Sequence, residues 1–543
     1  MANVKATDLI DFTRASEGYA LAKVSYGEEL VSSSDRNQTA TSTDEIVGVE
    51  VDPISVEIGK IYFVSATVTA TSTGTFKNPD WGVGEPNIDP VQSNTFDLLN
   101  EQDAYEDNVE TNVYGTVIPN QSTIGVAFRV GGDSSGDNTL TVSNISVKEV
   151  TFNQADGTLQ LFQHPDNIPR IEYDADGNLL GLLIEEQRTN LVTYSDVDTT
   201  NWTGGAFANI STESVSNPFG FSSVVKVVPT TDTAGGAPKR TVQKSINVTT
   251  GTTYTYSAFV KAAGYNAAYI IFTDRPNVYG GVAYDLSTAS LIELDGGNQG
   301  TLSNPFIEDF GDGWYRIGFS HDGDGGKDAS NGVAVGFVPT GLTKTVNYGQ
   351  SSFAGDGISG GYVAGVQVEA GSFPTSYIKT TGNTASRSAD VAKIDVDQFG
   401  YNQGKGTVFA EANPIPVGSG YGLKVILNLS NGTDNDEIFL LNENNDRLRL
   451  ILDPTGASND VDFTISGAEG SLKYAAAWEL NNVNAAHGGV LGAGDTSATP
   501  IQNATTMTIS STFTQNAKFS GHIKSIKYFP KRLSNAKLQE LTS

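Results

Sequence analysis

Apolar and polar residues alternate with a period of two through much of this chain, the pattern of strands that turn one face to a core and the other to solvent. The clearest run is Tyr62, Val64, Ala66 and Val68, interleaved with Phe63, Ser65 and Thr67. The same alternation returns at Tyr254, Tyr256, Ala258 and Val260, and residues 54–68 align without a gap on 246–260 around a turn glycine, Gly59 or Gly251. Three further pairs of segments follow in the same order: 30–35 with 191–196, 125–127 with 332–334, and 142–147 with 363–368. This internal repeat predicts two related antiparallel β-sandwiches, over 28–152 and 188–380, the second longer than the first.

Between them, 153–187 reads as a connector. Ile171 to Tyr173 and Leu179 to Ile184 flank Asp176-Gly177, a dipeptide that favours a tight hairpin turn. Residues 1–27 form a separate N-terminal segment and 381–403 a polar linker. Gly406 to Ala412 then opens a third sandwich over 404–543. Helix signals are few; the best is the last, where Pro530 ends a strand, Ser534 is placed to cap, and Ala536, Leu538 and Leu541 form a short apolar stripe. The fold class is therefore all-β, with tandem antiparallel sandwiches.

Charge and composition narrow the function. The 543 residues, too many for one core, carry 33 Lys and Arg against 62 Asp and Glu, a net charge of -29. A surface that negative repels phosphate backbones and anionic lipid, which argues against nucleic-acid and membrane partners. The absence of cysteine removes disulfides, thiolate metal sites and thiol nucleophiles. The first residues lack the basic and apolar regions of a secretion signal, and no apolar run is long enough to span a bilayer.

Candidate chemistry is sparse. Gly357-Ile358-Ser359-Gly360-Gly361 satisfies G-x-S-x-G, but residues 362–366 read as a strand where a nucleophile elbow needs a helix. The overlapping G-x-G-x-x-G at 355–360 likewise lacks a βαβ unit. His164, His321, His487 and His522 are widely spaced and read as isolated surface histidines rather than zinc ligands. Asp322, Asp324 and Asp328 place carboxylates in a glycine-rich loop where a Ca²⁺ ion is a candidate, the alternative being a solvated turn. Asp174, Asp176, Asn178 and Glu185 approach Ca²⁺-loop spacing, yet the hairpin turn accounts for them better. No catalytic carboxylate pair stands out, and the chain reads as a non-enzyme, with glycan depolymerisation the lesser alternative. Glycan binding would need an exposed aromatic face with polar neighbours. Of the four tryptophans, Trp202, Trp314 and Trp478 sit in strand-like or apolar settings, whereas Trp81 lies in a stretch rich in turn residues, 78–86, and is the candidate for sugar contact.

Four segments resemble a signature of bacteriophage virion proteins. Phe12 to Ser16 matches an "FTRAS" opening; Pro169 to Asp174 and Gly181 to Leu191 match "PRIEYD…GLLIEEQRTNL". Pro374 to Ile378 with Ser386 to Asp390 resembles a "PTSYI…TRAAD" exit, and 521–534 resembles the close of a terminal laminin-G-like or concanavalin-like domain. The two repeats are similar to jelly rolls of carbohydrate-binding modules. The resemblance implies a structural protein exposed on the particle surface and made in the host cytoplasm: a tail fibre or receptor-binding protein that adsorbs to host surface polysaccharide, or alternatively a capsid decoration protein or head fibre. It implies tail or capsid proteins as partners, a homotrimer, and virion attachment through the N-terminal segment with Asp11, Phe12 and Arg14. Such proteins share an architecture rather than one activity.

Overall fold

The computed structural model describes residues 10–543 apart from 44–45, 86–87, 89–95, 103, 105–106, 132–136, 153–154, 218–223, 233–239, 275–277, 296–300, 323–330, 342–352, 416–422, 434–435, 444–446, 455–458, 465–471, 502 and 512–518. The fold is all-β: three antiparallel sandwiches, as the alternation predicts.

The first sandwich faces a six-stranded sheet with a four-stranded one. Five strands of the larger sheet run in the order Thr158–His164, Gly18–Glu29, Asn138–Phe152, Ile61–Ser72 and Glu110–Val117, with Gln38–Ser42 paired to the start of Asn138–Phe152. Tyr62, Val64, Ala66 and Val68 are buried in its core while Phe63 points the other way. The second sandwich packs two six-stranded sheets. The repeat holds in space, because Tyr254, Tyr256, Ala258 and Val260 are buried in the corresponding positions of Tyr254–Ala263. A separate apolar cluster joins these two bodies: Tyr19 and Leu161 of the first pack on Val224, Phe259, Trp314, Ala364 and Tyr377 of the second.

The third sandwich is assembled from distant parts of the chain. One of its seven-stranded sheets begins with Asp11–Thr13 paired to Val391–Asp395, and the other begins with the hairpin Arg170–Tyr173 and Leu179–Ile184 paired to Gly521–Phe529. Leu182, Ile184, Phe12, Ala392 and Ile394 enter the same core as Val408, Ile426 and Ile523. Burying each such large apolar side chain contributes about 1.5–3 kcal/mol, which these short strands gain only by joining a sheet. The predicted hairpin is present, with Gly177 at φ +77 in its turn. Gly181, at φ +131, lies where a Cβ would meet the Ile523 carbonyl at 2.6 Å, so this position of the signature needs glycine. The predicted C-terminal helix spans Asn535–Thr542; Ser534 caps it, and Leu538 is buried against Phe409, Ala475 and Ala477.

Candidate functional site

The signature segments meet at one buried point between the sandwiches. Asp390 receives Arg14 Nη1 at 3.3 Å, Arg170 Nη2, and the Glu185 backbone N–H at 2.8 Å. Glu185 in turn receives Arg170 Nη1 at 2.8 Å and the Ser376 N–H and hydroxyl at 2.7 and 2.6 Å, with Arg387 Nη2 at 3.5 Å. These charged side chains are almost wholly out of water. Burial alone would raise the Glu185 carboxyl, but Arg387, Arg170 and the Ser376 bonds outweigh it and bring the pKa down to about 2. Burial and the neighbouring Arg170 lower Arg14 to about 10, and burial with Arg14 and Arg170 lowers His164 to about 3, which leaves that imidazole neutral. This latch ties the N-terminal segment, the hairpin and the exit of the second sandwich together.

Two sequence expectations are corrected here. Phe12 is in the third core and Arg14 is 1% exposed in the latch, so neither side chain is presented at the surface; of the three attachment candidates, Asp11 alone is exposed. Trp81 is 1% exposed and stacks on Phe128 at 5.9 Å inside the first core. Its segment is a strand, Lys77–Gly84, in which Asn78 and Pro79 fall at a ladder irregularity, and it has no face left for a sugar. Trp202, Trp314 and Trp478 are buried as expected. In the acidic loop, Asp322 follows the strand Trp314–His321, with His321 Nε2 3.9 Å from its carboxylate, while Asp324 and Asp328 lie outside the described residues. Asp174 accepts from the Asn178 backbone and side chain at 2.8 and 2.9 Å, a turn arrangement. Ser359 donates to Asp356 at 2.6 Å in a turn, and Gly360–Ala370 follows as a strand.

The sequence reading missed an aromatic cleft of about 460 Å³ between the first two sandwiches, within the usual range for small-molecule sites. One wall is the outward face of the larger first sheet. There Tyr26, 39% exposed, stands 5.6 Å from Phe63 between ring centroids, and Phe63 lies 6.0 Å from Tyr114. Thr158, Gln160 and Gln163 on the adjoining edge strand supply hydroxyl and amide groups. The Gln160 amide donates to the Tyr26 hydroxyl at 2.6 Å, and the Gln163 amide is held by Glu17. The opposite wall comes from the second sandwich: Ser216, Asn217 and Asp312. Trp314 fixes that wall by donating its indole N–H to the Ser216 carbonyl at 3.1 Å.

Carboxylates stand behind the aromatic wall. Desolvation first, and then repulsion from Glu101, pushes Glu17 up to about 7 against the opposing pull of Lys379 and Gln163. Lys379 lies over the Tyr114 ring at 4.5 Å and 3.7 Å from Asp196. Burial opposes its charge, but Tyr114, Asp196 and Glu101 outweigh that and raise its pKa. The arrangement offers apolar ring surface flanked by hydroxyl and amide groups. It suits a ligand with C–H faces and hydroxyls. A signal for it existed: Phe63 is an aromatic on the polar side of its strand, and the aligned repeat has Thr255 there.

No family model matches the chain, and no curated protein does. Solved structures match parts of it. One is the Ruminococcus gnavus IT-sialidase CBM40 bound to α2,3-sialyllactose, at 19% identity over 26% of this chain and 84% of that one, with a TM-score of 0.24. Another is the CBM22-1–CBM22-2 tandem of Paenibacillus barcinonensis Xyn10C, at 10% identity over 64% of this chain and 99% of that one, with a TM-score of 0.20. A third is the mouse laminin α1 LG4-5 pair, at 10% identity over 55% and 92%, with a TM-score of 0.20. The ligand reading of the cleft rests on its own geometry.

Proposed function

We propose that this chain is a structural protein of the exterior of a bacteriophage particle that adsorbs to host surface glycans through the cleft between its first two sandwiches. The glycan reading is carried by one observation: a partly open row of aromatic rings bordered by Gln160, Gln163, Thr158 and Asn217. Rings of this kind stack on the C–H faces of pyranoses while amides and hydroxyls bond the sugar hydroxyls. The virion reading is supported by the order and length of the signature segments. In a tail fibre or receptor-binding protein, weak contacts repeated in a homotrimer and over several fibres would add up to firm attachment by avidity. A second reading, a decoration protein or head fibre seated on the capsid, is favoured by the strong negative charge and compact sandwiches.

Electron microscopy of intact particles labelled with antibody against the protein separates these readings. Label at the tail supports adsorption, and label over the head makes it a decoration protein. Purified particles that carry neither label nor the chain would remove the virion assignment.

A further inference from the structure

Building on the glycan reading of the cleft, we infer that its ligand is an uncharged oligosaccharide of hexoses or N-acetylhexosamines, and that Asp312 is the residue that turns acidic glycans away. Recognition of a sialic or uronic acid is strongest where a cation meets the sugar carboxylate in a charge-assisted hydrogen bond. Among the described residues that line the cleft, the one charged side chain is the carboxylate of Asp312. The cation nearest that rim, Lys261, is held by it: Nζ lies 3.0 Å from Asp312 Oδ2. Lys379, behind Tyr114, is held by Asp196. Lys148 stands across the ladder from Phe63 and is not among the described residues that line the cleft. The long-range field acts in the same direction, since a chain of net charge -29 repels an anionic glycan before contact. Uncharged sugars escape both penalties.

The two repeats differ at the face that carries the cleft. Its corresponding outward face, with Phe259, Trp314 and Tyr377, is covered by Tyr19 and Leu161 of the first. The Phe63 face keeps an open aromatic edge, with Tyr26 39% exposed.

Isothermal titration of the full chain with matched neutral and acidic oligosaccharides, at low and high salt, tests this. The partner variants are Tyr26→Ala and Asp312→Asn; Asp312 sits in a turn at φ +52, a conformation asparagine also accepts. The expected result is binding of at least one neutral oligosaccharide, changed less than twofold by salt and weakened at least tenfold in Tyr26→Ala. Asp312→Asn should leave that binding in place and, by freeing Lys261, improve acidic-glycan binding by about fivefold, the scale of an exposed ion pair. An acidic oligosaccharide that binds the wild type more tightly than its neutral counterpart and is lost in Tyr26→Ala would overturn the inference while leaving the glycan cleft standing. Failure of every oligosaccharide, neutral and acidic, would overturn the glycan reading itself.

Discussion

At the scale of single residues, the chain uses ionisable groups in two opposite ways. Glu17 is a carboxyl that the fold keeps closer to neutral: its pKa rises from 4.5 to about 7 because it is desolvated beside Glu101. A group of this sign stabilises the protein fully below pH 4.5, and the contribution is lost as pH rises through 7. Glu17→Gln, which keeps an acceptor for Gln163, should therefore match the wild type at pH 4.5 and exceed it by about 1–2 kcal/mol at pH 8. That figure takes ~1.4 kcal/mol per pKa unit, reduced for partial solvent screening. Urea melts at the two pH values check it, and equal stabilities at pH 8 would refute the assignment. Glu185 acts in the other direction. With its pKa down at about 2, it stabilises above pH 4.5 and loses that contribution as pH falls towards 2, and neutral His164 adds to the same acid limb. Asp390→Ala would leave the Arg14 guanidinium out of water without its carboxylate and Arg170 with Glu185 alone. It should cost about 3–5 kcal/mol, the usual effect of breaking a buried pair from one side. A loss below 1 kcal/mol in the same melts would mean the latch contributes little.

At the scale of elements, period-two alternation identified individual strands well but not their partners. The run from Tyr62 to Val68 and its repeat from Tyr254 to Val260 were legible because every second residue is apolar. The Asp176-Gly177 hairpin and the Ser534 cap were legible because turns and caps have local chemistry. By contrast, pairing of Asp11–Thr13 with Val391–Asp395 and of Leu179–Ile184 with Gly521–Phe529 joins segments hundreds of residues apart, and no local pattern encodes it. Trp81 was misplaced for a related reason. Asn78, Pro79 and Gly82 mark a turn in sequence, whereas in space they belong to a strand with a ladder irregularity and a close packing contact with Phe96. The aromatic cleft was partly visible, since Phe63 breaks the polar face of its strand; its opposite wall, Ser216 and Asp312, comes from another sandwich. These pairings also carry a prediction. A fragment of residues 404–543 lacks Phe12, Leu182, Ile184, Ala392 and Ile394 of its own core, and should be poorly folded by circular dichroism and amide dispersion. A cooperative melt of that fragment matching the third sandwich in the full chain would show that the distant strands are dispensable.

At the scale of the whole molecule, the latch and the Tyr19–Tyr377 cluster join all three sandwiches, so the cleft walls from the first and second are held at a set separation. A fixed cleft loses little conformational freedom on binding, which would suit the weak, multiplied sites of the proposed adsorption role. The signature segments thus contribute to scaffold, and the proposed recognition would fall to residues outside them: Tyr26, Phe63, Tyr114, Gln160 and Asp312. The most direct test of that division is binding of the full chain to an array of host-type surface glycans, with Tyr26→Ala and Phe63→Ala alongside. The expected result is a defined set of neutral glycans bound by the wild type and lost in both variants while their melting curves remain cooperative. Retention of the same glycans by both variants, or no binding by the wild type, would contradict it.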